Sequence, residues 1–76
     1  MTKYRWRGVV LEERNNLITH YGSARALKAT DLNAARAEVE RVDYRHGVNC
    51  IQILDEDERV VSYKILGLGL SVVGWR

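Results

Sequence analysis

A chain of 76 residues with 46% hydrophobic and 29% charged side chains is too apolar for a disordered tail, and it suits one compact domain over residues 1–76. A domain of this size buries about 60 to 65% of the surface its unfolded chain exposes, so stability is modest and a partner or second copy would help. The formal net charge of +2 is too small to impose a nucleic-acid partner by itself, and the single cysteine, Cys50, excludes an internal disulfide while leaving a thiol that could join two chains.

Lys3, Arg5 and Arg7 come first, and no apolar run of signal length follows them, so the cytoplasm is the expected location. Tyr4 to Glu12 reads as a first strand, because aromatic and β-branched residues dominate it and Tyr4 and Trp6 alternate with Arg5 and Arg7. Arg14-Asn15-Asn16 is a turn signal. Leu17 to Ser23 is ambiguous, and Gly22-Ser23 punctuates it before a short second strand within Ala24 to Ala29.

Thr30 to Val42 is the clearest helix. Leu32, Ala35, Val39 and Val42 recur at three- and four-residue intervals and form one stripe, outside which fall Arg36, Glu38, Glu40 and Arg41. Asp31 or Thr30 is placed to accept a hydrogen bond from the first turn, worth about 1 kcal/mol. The helix is expected to run to about Tyr44, with Arg41 and Arg45 near the negative end of its dipole and Gly47 as a left-handed stop.

Val48 to Leu54 and Arg59 to Leu66 are β-rich runs joined by Asp55-Glu56-Asp57-Glu58, the pattern of a hairpin. The expected core is Ile51 and Ile53 on one strand, Val61, Tyr63 and Ile65 on the other, and the helix stripe. The tail from Gly67 to Arg76 offers a last strand. The fold class is therefore α+β: a small antiparallel sheet of three to five strands in β-β-α-β-β order, with one helix on one face. Cys50, Leu54, Val60 and Leu66 lie at the opposite parity, and one helix cannot cover them as well. Either that face meets a second copy or a protein partner, or the Leu17 to Ser23 segment folds across it.

The charge is uneven. Residues 1–36 carry seven basic and three acidic side chains, and residues 37–63 carry seven acidic and three basic ones, so two electrical ends are expected in space as in sequence. Arg5 and Arg7, with Lys3 beside them and Tyr4 or Trp6 to stack, are the material of a nucleic-acid surface, of a patch meeting an acidic protein, or of a solvated edge strand. Asp55, Glu56, Asp57 and Glu58 are a solvated turn or a surface for a basic protein partner, since the ligand spacing and glycine of a calcium loop are missing.

His20, His46 and Cys50 lack zinc-site spacing, so no metal is expected. Gly67-Leu68-Gly69 lacks the third glycine and following helix of a dinucleotide fingerprint, so no cofactor is expected either. No triad or carboxylate pair points to an enzyme. The longest nearly apolar run, Ile65 to Trp75, has 11 residues, three of them glycine, against roughly 20 for a membrane-spanning helix, so no membrane role is expected.

The order of elements from Arg25 to Trp75, the Ala29-Thr30-Asp31-Leu32-Asn33-Ala34-Ala35-Arg36 helix opening and the acidic-tipped hairpin resemble small proteins of bacteriophages and mobile elements. In layout the chain is most similar to compact anti-CRISPR proteins acting on type I systems. That resemblance implies a non-catalytic inhibitor in the cytoplasm of a bacterial host, which binds a subunit of the crRNA-guided surveillance complex (Cascade) or its nuclease and blocks target-DNA binding or cleavage by occupancy. Arg5, Arg7 and Asp55 to Glu58 are then the electrostatic candidates for contact. The alternatives are a small nucleic-acid-binding module using the basic first strand and a dimeric phage accessory protein.

Overall fold

The computed structural model describes residues 2–12, 17–42, 48–65 and 75–76. It is an α+β fold in which one helix packs on an antiparallel sheet: β1 (Arg5–Glu12), β2 (Leu17–Tyr21), β3 (Arg25–Ala26), α1 (Leu32–Val39), β4 (Cys50–Leu54) and β5 (Val60–Ile65). The spatial order is β2-β1-β4-β5, with β3 also paired to β1. The first strand is thus central, pairing residues 5–9 with β4 across the intervening helix.

The Leu17 to Ser23 segment, ambiguous in sequence, lies with β3 along the edge beside β1 and does not cross the sheet face. Val9 pairs with Tyr21 and Glu12 with Leu17, with a register shift at Val10/Leu11. Arg5 then pairs with Ala26 and Trp6 with Arg25. Gly22 N–H to the Gly8 carbonyl and Leu27 N–H to the Tyr4 carbonyl, both 2.8 Å, join these pieces into one interrupted strand. Its β3 part is shorter than the expected Ala24 to Ala29 strand.

α1 begins where Asp31, in extended conformation, accepts from the Ala34 N–H at 2.8 Å. It ends at Val39, earlier than expected. Arg41 N–H to Glu38 carbonyl (3.2 Å) and Val42 N–H to Val39 carbonyl (3.2 Å) then tighten the chain into i→i+3 turns. The expected stop at Tyr44, Arg45 and Gly47, like His46, lies outside the described residues. Glu38 fixes the approach to the helix: its carboxylate accepts from Lys28 N–H (3.0 Å) and Ala29 N–H (3.0 Å).

Ala35 and Val39 of α1 and Ile51 and Ile53 of β4 are fully buried, and Tyr4, Trp6, Leu27, Leu32, Val42, Val48 and Trp75 pack around them. Directly opposed residues of an antiparallel pair share a face, so Trp6 beside Ile53 and Gly8 beside Ile51 also face the helix. A Cβ at Gly8 would stand 2.9 Å from a Val48 methyl, and this close approach lets Val48 lie on the strand.

The β5 half of the expected core is corrected. Ile53 pairs with Ser62 and Ile51 with Lys64, with a register shift next to Leu54. Ser62 therefore faces the helix and is buried, while Val61, Tyr63 and Ile65 turn to the other face and are 37–41% exposed. The buried hydroxyl is fully engaged: Ser62 Oγ accepts from Arg36 Nε at 3.1 Å and donates to the Arg76 carbonyl at 2.7 Å.

Of the tail, residues 66–74 lie outside the described residues. Arg76 is placed at the β5 edge, where it exchanges two 2.9 Å backbone hydrogen bonds with Tyr63. No described helix is long and apolar enough to cross a membrane.

Candidate functional site

The β4–β5 hairpin presents the acidic tetrapeptide on a fixed turn. Asp55 Oδ1 accepts from the N–H groups of Asp57 and Arg59, each at 2.9 Å. The Asp55 N–H meets the Arg59 carbonyl at 3.0 Å, and the Glu58 N–H meets the Asp55 carbonyl at 3.1 Å. Glu58 sits at φ 62°, in the left-handed region, which a side chain adopts only where the surrounding bonds hold it. Asp55 thus builds the turn, and Glu56, Asp57 and Glu58 stand exposed on it.

Antiparallel pairing of Arg5 with Leu54 sets the start of β1 beside this tip. Arg5 Nη1 lies 3.8 Å from Glu58 Oε1, with both side chains more than half exposed. The Lys3 N–H donates to Glu56 Oε1 at 2.9 Å. The expected separation of a basic and an acidic end is therefore corrected at this point, because β1 and the hairpin tip share one end of the sheet. An exposed pair at such distance contributes little to stability, but it does compensate charge locally.

Arg7 stands apart from that cluster. It lies with Arg5 on the face opposite the helix, donates from Nε to Gln52 Oε1 at 2.8 Å, and covers the Tyr21 ring at 4.5 Å from its centroid. Tyr4 and Trp6 pack against the core on the other face, where the Arg25 guanidinium carbon lies 6.0 Å from the Trp6 ring centroid. The aromatic beside Arg7 is Tyr21, brought there by its pairing with Val9. Gln52 was the readable sign, a polar residue at the centre of an apolar strand, which requires a partner when buried.

The same face carries exposed Tyr21, Val60, Val61, Tyr63 and Ile65, whereas Val9, Cys50 and Leu54 are at most 2% exposed. Burial also pushes the Cys50 thiol pKa up, which disfavours a thiolate nucleophile, and a thiol so enclosed cannot meet another chain. Among the described residues, no three His, Cys, Asp or Glu side chains converge on a metal-sized site. No family model, curated protein or solved structure matches the chain.

Proposed function

We propose that this chain is a non-catalytic protein binder that acts by occupying its partner's surface, with the acidic hairpin as the part it presents. The observation that carries this reading is the turn built by Asp55, whose carboxylate accepts from the Asp57 and Arg59 N–H groups and leaves Glu56, Asp57 and Glu58 exposed at the tip. Exposed carboxylates on a fixed turn suit a cationic protein groove of the kind that receives phosphates. The sequence resemblance makes the DNA channel of a type I surveillance complex the partner of this kind to test first, which would place the protein in the cytoplasm of a bacterial host.

The nucleic-acid alternative loses support from the same geometry. Arg5 is compensated by Glu58, and Arg7 is engaged by Gln52 and Tyr21. Pairing of two copies through the face opposite the helix is a second reading, favoured by the exposure of Tyr63 and Ile65.

The test is capture of type I surveillance complexes by the tagged protein, beside a labelled double-stranded DNA shift at two salt concentrations. The expected result is capture of a complex with loss of its target-DNA binding, and a drop of at least about tenfold in capture for the Asp57→Asn, Glu58→Gln double variant. No capture, together with a DNA shift that weakens in salt, would replace this reading with the nucleic-acid module.

A further inference from the structure

A cleft of about 620 Å³ lies where the residues before β1, the segment from β3 towards α1 and the hairpin tip meet. That volume falls within the range of about 300–1,000 Å³ usual for small-molecule sites. Lys3 and Lys28 line it against the one carboxylate of Glu56, Arg5 at its edge being paired with Glu58, and Tyr4 and Leu27 supply apolar surface. The ammonium groups of Lys3 and Lys28 have no hydrogen-bond or ion-pair partner among the described residues.

Both stems nevertheless grow from anchored backbone. The Lys28 N–H is held by Glu38 at 3.0 Å, and the Lys3 N–H by Glu56 at 2.9 Å. Leu27 is tied to Tyr4 across the strand gap by a 2.8 Å backbone bond. The walls are therefore set before a ligand arrives, and only flexible cationic ends must be ordered, which keeps the entropic cost of binding low.

We propose that this cleft binds a small phosphorylated ligand of nucleotide size. Its phosphate lies between the ammonium groups of Lys3 and Lys28. Its ring lies along Tyr4 and Leu27, and an exocyclic amino group donates to the free Glu56 oxygen. A bare phosphate would satisfy the cations but leave the apolar wall and Glu56 unused. The carboxylate also repels a pure anion, so a ligand with both a phosphate and a donor edge fits better than either alone. The proposal shares Glu56 with the hairpin tip, but its phosphate contacts rest on Lys3 and Lys28, which the tip does not contain, so the lysine variants test it apart from the hairpin's partner.

Calorimetric titration of the full chain with AMP, IMP and inorganic phosphate tests it, on the unaltered protein and on the Lys3→Gln, Lys28→Gln and Arg41→Gln variants, each checked for an unchanged circular dichroism spectrum. Arg41 is exposed and outside the cleft. The expected result is AMP binding at least about tenfold tighter than phosphate and measurably tighter than IMP. Each lysine variant should weaken AMP about tenfold, while Arg41→Gln leaves it unchanged. Absence of saturable heat with AMP, equal affinity for AMP and phosphate or IMP, or equal loss in all three variants would overturn the proposal.

Discussion

Gly22 donates its N–H to the Gly8 carbonyl at 2.8 Å, and a Cβ at Gly22 would stand 2.8 Å from that same oxygen. The obstacle is backbone, and it cannot retreat without lengthening the bond that continues the edge between β2 and β3. At Gly8 the obstacle is instead a side chain, a Val48 methyl 2.9 Å from the virtual Cβ, which can give way without breaking a backbone hydrogen bond. Gly22→Ala should therefore destabilise the fold by about 1 to 3 kcal/mol, as overpacking does, and by more than Gly8→Ala. Urea denaturation midpoints of the two variants check the order; a smaller loss at Gly22 would mean that the edge yields there. In sequence Gly22 reads only as punctuation, because its partner oxygen belongs to a strand 14 residues earlier.

At the scale of elements, the helix start at Asp31, the first strand and the hairpin are legible from local pattern, since capping and alternation act over a few residues. The facing of β5 is not. Val60-Val61-Ser62-Tyr63-Lys64-Ile65 alternates apolar and polar residues as a core strand would, but the register shift beside Leu54 turns its apolar parity away from α1. The helix-facing positions Ser62 and Lys64 are satisfied by Arg36 and Glu40, partners that only the packed structure supplies. Ile53→Ala should cost about 2 to 5 kcal/mol, whereas Ile65→Ala, at a side chain 41% exposed, should cost less than about 1 kcal/mol. Chemical denaturation at two protein concentrations checks both. A large loss at Ile65 that grows with concentration would instead mark Ile65 as an interface residue between copies.

Across the whole molecule, Glu40 joins three parts that are distant in sequence. Its Oε1 accepts from Trp75 Nε1 at 3.0 Å and from Lys64 Nζ at 3.1 Å, tying the end of α1 to β5 and to the Trp75-Arg76 segment. The indole hydrogen bond, then the Lys64 hydrogen bond and charge, hold the Glu40 carboxyl below its ordinary pKa. A folded-state pKa below the unfolded value means that this contact stabilises fully above the unfolded pKa and is lost as pH falls through the folded one. The group is exposed, so the consequence is local: Trp75 should loosen in acid while the Ile51–Ile53 core stays packed. The indole N–H resonance of Trp75, followed by NMR from neutral pH downward, should move with a midpoint below that of an ordinary glutamate. Glu40→Gln keeps an acceptor for the indole but no titrating charge, so the transition should vanish in that variant. A Trp75 transition that survives Glu40→Gln would assign the acid response to another carboxylate and leave Glu40 a bystander at this junction.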